Sequence, residues 1–203
     1  MKVEYFPETH TYTLDGSKVN SVTQILDASG LSDFSHVDPD VLKRAGEFGD
    51  AVHDMTVLDD LDDLDVYSLD LDLFPYLDAW RKFKKESGFQ LLAMEHIVYS
   101  KKYLFAGRYD RRCVLRNIND KLTLLDLKSG VHNKITVSGA GIQTAGYSIA
   151  HDEGMKLKDQ IKQRVGVWLK ETGEYKMEIF TNKSDYTIFR AALTMANFKG
   201  GQI

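Results

Sequence analysis

Three apolar-rich runs, FQLLAMEHIVYS (89–100), YLFAGRYDRRCVLR (103–116) and KLTLLDLKSG (121–130), follow one another with only short polar joins. Runs of this length and β-type content, turned at Lys101-Lys102 and again from Asn117 to Asp120, predict an antiparallel meander. A sheet of this kind must bury at least one face, and the flanking segments offer the cover. Residues 38–56 predict a helix, with Asp38 as N-cap and Pro39 at its first position. Residues 75–87 predict a second helix, stopped by Gly88. A third covers about 140–154. QRVGVWLK and YKMEIFTN predict a strand pair around Thr172-Gly173, and a last helix begins at Ser184 as cap. Residues 3–26 read as a hairpin turning at Asp15-Gly16, its end able to open a helix. The expectation is an α/β fold, a mixed central sheet flanked by helices, in one domain spanning 1–203.

At 203 residues and 43% hydrophobic, the chain can fill such a core. Its one cysteine, Cys113, excludes an intrachain disulfide and makes a reducing compartment the default. MKVEYFPETH lacks the apolar segment of a secretory leader, and no run approaches the ~18 apolar residues of a membrane span. A soluble, cytoplasmic protein without a membrane partner is expected.

The net charge of −4 argues against a nucleic-acid partner until its distribution is considered. Residues 54–72 carry eight Asp and no Lys or Arg. Without them the balance is 26 basic residues against 22 acidic, or +4. Residues 101–116 carry six basic residues and one acid, which permits a localised basic surface. Ordinary solvated strand residues would read the same way. The acidic stretch, in which Leu58, Leu61 and Leu64 recur every three, is expected to be a helix or a mobile insertion, with its charges solvated.

The third run raises a chemical question. Side chains alternate along a strand, so Asp126 and Lys128 share the face of Leu122 and Leu124, while Leu125 and Leu127 take the other. Charges at the end of a buried strand are what a site at a sheet end requires. An isolated D-x-K is also what a strand running out into solvent shows. Asp110, in the adjacent antiparallel strand, falls near Asp126, and Gly107 before it allows a bulge or close approach. Two carboxylates brought together repel unless a proton or cation lies between them. Mg²⁺ or Mn²⁺ suits such oxygen ligands. Gly49 and His53 lie four apart on one helix face, as do Gln143 and Tyr147.

In this order, G-x-x-x-H (Gly49, His53), G-x-x-D (Gly107, Asp110), D-x-K (Asp126, Lys128) and Q-x-x-x-Y (Gln143, Tyr147) resemble the PD-(D/E)XK nuclease superfamily, in its RecB-like and phage-exonuclease branch. The match spans about residues 46–150, and VNSVTQIL resembles an opening found in phage members. The resemblance implies a restriction-endonuclease-like core of order α-β-β-β-α-β. It implies a metal-dependent deoxyribonuclease, an exonuclease of phage or prophage recombination or repair, with DNA as substrate and a single-strand annealing or recombination protein as a partner. His53, Asp110 and Asp126 would ligate Mg²⁺ or Mn²⁺ with the Leu127 carbonyl, and Lys128 would be the catalytic lysine. Gln143 and Tyr147 would contact DNA or steady Lys128. Arg108 and Arg111, flanking Asp110, are expected to bind DNA, while Glu95, Gly49 and Gly107 are expected to support the site from behind.

The chain departs from the family in three ways. The proline of the family name is absent, one cysteine cannot supply the four ligands of an iron–sulfur cluster, and no GxxxxGK[ST] occurs, so an ATPase would be a separate chain. The competing expectation is a catalytically silent module that keeps the fold and binds DNA or protein. A different metal hydrolase would more often carry HxH or HExxH, and neither occurs.

Overall fold

The computed structural model describes residues 2–31 and 37–200. The expected span of 1–203 thus includes Met1, residues 32–36 and residues 201–203, which lie outside the described residues. The chain forms strands β1 (Val3–Phe6), β2 (Thr11–Leu14) and β3 (Ser17–Ser21), then helices α1 (Val22–Ala28), α2 (Pro39–Asp60) and α3 (Phe74–Ser87). The meander follows as β4 (Phe89–Ser100), β5 (Phe105–Leu115) and β6 (Leu122–Lys128). Helix α4 (Lys134–Asp152), strands β7 (Gln163–Leu169) and β8 (Tyr175–Ile179), and helix α5 (Ser184–Lys199) complete it.

All eight strands join one mixed sheet, in the order β1-β2-β3-β5-β6-β7-β8, with β4 also on β5. β4, β5 and β6 pair antiparallel, and β7 runs parallel to β6 through the α4 crossover. Both faces are covered. Val22, Ile25, Phe105, Tyr109, Leu124, Ile142 and Phe189 pack between the sheet and α1, α4 and α5. Met55, Trp80, Phe83, Leu125, Leu127 and Val167 pack between the sheet and α2 and α3. Each large side chain buried in these layers contributes about 1.5–3 kcal/mol. β7, paired on both edges by β6 and β8, is buried at every position, as a strand covered on both faces must be.

The N-terminal region differs from the expected hairpin. VEYFPETHTYTL is two strands, because Pro7 opens a 3-10 turn over Pro7–Thr9 and has no N–H to give a ladder. The resulting three-stranded meander joins the main sheet where β3 runs parallel to β5, pairing Asn20 with Phe105 and Ser21 with Ala106. At α5 the expected cap is displaced by one. Ser184 is the first helical residue, and its N–H donates to Asn182 Oδ1 at 3.0 Å.

The acidic stretch is also corrected. α2 carries it as far as Asp60, and the rest winds through 3-10 turns at Val66–Ser68 and Leu71–Leu73. Six of its Asp are exposed, but the Asp59 and Asp60 side chains are buried. Asp59 accepts from Arg81 and Lys84, and Asp60 from Trp80, Lys84 and Arg111, over 2.7–3.0 Å. These two are counterions of the interior, not a solvated face. Among the described residues, no helix is long and apolar enough to cross a membrane.

Candidate active site

β5 has one continuous neighbour, β4, and two partial ones on its other edge. β3 pairs with its start, at Phe105 and Ala106, and β6 with its end, from Arg111 to Val114. Between them, residues 107–110 form a fork. Gly107 is needed there: a Cβ at this position would lie 2.7 Å from the Tyr147 ring and 3.0 Å from Val22. At Asp110 the strand also turns over. Phe105 and Tyr109 face α4 and α5, whereas Cys113 and Leu115, of the same parity, face α2 and α3. Opposite Asp110, between the pairs Met94–Arg111 and His96–Tyr109, stands Glu95, with a left-handed φ of 45°. Such a conformation is uncommon outside glycine and concentrates at functional sites.

α2 brings His53 to this fork. Its Asp38 cap accepts from the N–H of Asp40 at 2.8 Å, and its apolar face (Val52, Met55) seats it on the sheet. His53 Nε2 lies 3.2 Å from the Leu127 carbonyl, which can only accept, so Nε2 carries the proton. That leaves Nδ1 facing Asp110 Oδ1 at 3.9 Å. One ligand atom each from His53, Glu95 and Asp110 lie within 4.8 Å of one another. The other Asp110 oxygen, Oδ2, accepts from the Leu127 N–H at 2.6 Å, which fixes the carboxylate.

Asp126 and Lys128 lie together on the α4 side of β6. The two are in ion-pair contact, Nζ to Oδ2, at 2.8 Å. Asp126 is 1% exposed, and neither of its oxygens accepts a well-directed hydrogen bond. Burial pushes its carboxyl up to about 6; Asp110 adds to the rise, and Lys128 and His53 oppose it. Burial pulls Lys128 down, but the Asp126 and Asp110 carboxylates outweigh it, so its pKa is raised and it stays an ammonium. Glu95 is raised as well, by burial and then by Asp110, against the pull of Arg108, His53 and Arg111. Buried acids and a cation with opposed tendencies in one cleft are the signature of a functional site more often than of a scaffold.

Along α4, Lys128 Nζ donates to Gln143 Oε1 at 3.1 Å, and Gln143 Nε2 to the Tyr147 hydroxyl at 3.1 Å. Tyr147 is buried beside Gly107, so this pair steadies Lys128, and the Tyr147 ring is not presented to a polymer. Burial, then Asp126 and Asp110, raise its hydroxyl well above its ordinary value. Gly49 faces Ser129, 3.7 Å from where a Cβ would sit, an ordinary contact.

No protein-family model matches this chain, and no curated protein matches it. Among solved structures it is similar to one titled "Crystal structure of SSO0001", at 13% identity, over 88% of this chain and 75% of that one, with a TM-score of 0.44. The site therefore stands on its own geometry.

That geometry departs from the expected roles at three residues. Arg111, expected at DNA, is 0% exposed. It donates to Asp60 at 2.7 Å, to Glu95 at 3.3 Å and to Thr56 at 3.1 Å, because the strand turns over at Asp110 and points it into the α2 layer. Arg108 does reach solvent, with Nε 3.0 Å from Glu95 Oε2 and its guanidinium over the Tyr5 ring. Glu95, expected behind the site, stands in the ligand cluster, one oxygen held by each arginine. Asp126, expected in that cluster, lies outside it and faces Lys128. No spacing could have promoted Glu95, since its place depends on the β4–β5 register and on a positive φ.

Proposed function

We propose that the chain is a metal-dependent deoxyribonuclease on a restriction-endonuclease-like core, acting on DNA ends in recombination or repair. What carries the reading is the convergence at one sheet fork of an imidazole nitrogen and two carboxylates within 4.8 Å of one another, with a buried carboxylate and an ammonium beside them. The donor set fits a hard divalent cation such as Mg²⁺ or Mn²⁺. Glu95 is already held by Arg108 and Arg111, but His53 Nδ1 and Asp110 Oδ1 face each other at 3.9 Å, and buried Asp126 has the Lys128 ammonium at Oδ2 and no well-directed hydrogen bond at either oxygen. His53, Glu95 and Asp110 would hold the ion, with Asp126 and the Leu127 carbonyl adjoining. When bound it would polarise a phosphodiester and acidify a water.

The remaining chemistry belongs to the chain. Lys128, held charged by Asp126 and aimed by Gln143, offsets negative charge developing on phosphate oxygens. Its raised pKa makes it an electrostatic group, not a proton acceptor, near neutrality. Arg108, at the rim, supplies a phosphate contact that Arg111 cannot.

The test is cleavage of end-labelled linear duplex, single-stranded DNA and closed circular DNA in Mg²⁺, Mn²⁺ or EDTA. Metal-dependent cutting of linear substrates alone is expected. Lys128→Ala should lower the rate by about 10²–10³-fold while Mn²⁺ affinity persists. Cutting by Lys128→Ala at the wild-type rate sinks its role. No cutting of any substrate by folded, metal-loaded protein replaces the enzyme with a binding module.

A further inference from the structure

Lys128, with Asp126 on one side and Gln143 on the other, lies between two spaces. One is the cluster at the fork. The other is a groove of about 570 Å³ between α1, the β6–α4 connection and α4. The volume is in the range of pockets that hold small organic groups. Its walls are apolar: Leu26 and Trp168 lie buried at its base, while Val131 and Ile135 stand at its rim, 70% and 77% exposed. Its polar side chains, besides Lys128 and Gln143, are Thr23, Thr136 and the carboxylate Asp27. α4 begins beside it, capped by Asn133, so the positive end of a 19-residue helix adjoins the mouth.

We propose that this groove is a nucleobase subsite, holding the base of a nucleotide adjacent to the phosphate at Lys128. This rests on the nuclease reading for its substrate class and deepens it. A polymer whose phosphate meets Lys128 must place its next group in a neighbouring space. A nucleic acid carries one flat, largely apolar base with polar edges for every phosphate. A largely apolar groove with two hydroxyls and one carboxylate for the polar edge of a base, joined to a cationic end at Lys128, matches that alternation. Bases in a duplex are stacked and inaccessible, so one enters only when unstacked. The substrate is therefore met as a single strand or as the frayed end of a duplex.

Two residues make the inference measurable. The chain has two tryptophans, Trp80 and Trp168. Trp80 is stacked on Phe83 in the other layer, so Trp80→Phe leaves Trp168 as the reporter of the groove. Gly139 lines the groove, and a Cβ there meets no atom within 4 Å. Gly139→Phe thus fills the groove without a clash at its first atom, and Gly139→Ala leaves it open.

Pentathymidylate should change Trp168 fluorescence in Ca²⁺ or EDTA, without cleavage. Replacing one residue by an abasic analogue, at each position in turn, should weaken binding about tenfold at one position. Gly139→Phe should erase that discrimination, and Gly139→Ala should keep it, with both unfolding at temperatures near the parent's. Absence of any fluorescence change, equal binding of parent and abasic oligomers, or unaltered discrimination in Gly139→Phe overturns the subsite. A dimer that Gly139→Phe converts to monomer, with no base discrimination, assigns the groove to a second copy instead. Binding is read without catalysis, so a silent protein gives as clear an answer, and failure of the nuclease reading is recorded separately by the cleavage assay.

Discussion

Two charge clusters lie on either side of Arg111, and they are built on opposite plans. In the α2–α3 layer, Asp59 and Asp60 face Arg81, Lys84 and Arg111, and each of their four oxygens receives a charged or indole donor within 3.0 Å. At the fork, Glu95 is held by Arg108 and Arg111, but Asp110 faces an imidazole and Asp126 has one ammonium and no directed hydrogen bond. Buried charges are costly unless fully paired. The first cluster meets that condition within the chain, so its role is to lock α2 and α3 onto β5. The second does not, which is tolerable when an added cation completes it. Completeness of pairing, rather than density of charge, separates scaffold from site.

The comparison can be broken at its strongest point first. Asp110→Ala should lower cleavage by at least about 10³-fold, with loss of Mn²⁺ affinity in a titration and a folded circular dichroism spectrum. A variant that still binds Mn²⁺ as wild type removes Asp110 from the ligand set. The matched cluster should respond in stability. Arg111→Met strips Asp60 of a buried partner and should cost about 3–5 kcal/mol in urea unfolding. A cost under about 1 kcal/mol makes the pairing incidental.

A smaller effect sharpens the contrast through pH. The Asp126 carboxyl sits at about 6 in the folded chain against 3.8 for its ordinary value, so between those values the folded state holds more protons than the unfolded. Stability of metal-free protein in EDTA should therefore fall as pH rises from about 4 to about 6, by roughly 2–3 kcal/mol from this group. Asp126→Asn should flatten that slope. An unchanged slope in Asp126→Asn shows that Asp126 is not the frustrated group.

Much of the fold could be read directly. The alternation of LTLLDLK put Asp126 and Lys128 on one face and Leu125 and Leu127 on the other, because a regular strand enforces a period of two, and only the fold makes the first of these the α4 face. Asp38, Pro39 and Gly88 marked helix ends because their chemistry is local. What failed was non-local. The turn-over at Asp110 breaks the period of two, so the facing of Arg111 was not legible in YDRRC. Asp59 and Asp60 resemble their six exposed neighbours until α3 supplies Arg81 and Lys84. Glu95 acquires its place from the pairing of β4 with β5 and from a backbone conformation that a glutamate's identity does not announce. Two local signals went unused: a proline in the middle of VEYFPETH already argues for two strands, and Asn133 with Thr136 forms a capping box that starts α4 at Lys134, ahead of the expected start near 140.

The slender attachment of β3 has a consequence for redesign. Among the described residues, the N-terminal meander shares a backbone ladder with the main sheet at two residue pairs, while Asp110 and Asp126 belong wholly to the strands beyond. Its other attachment is packing, of Tyr12, Leu14 and Val19 with Ala106, Ile97 and Tyr99. The two turns, Pro7–Thr9 and Asp15-Gly16, carry none of that packing, so turns of other lengths can be grafted there to reshape what enters, while the strands that carry the carboxylates keep their register.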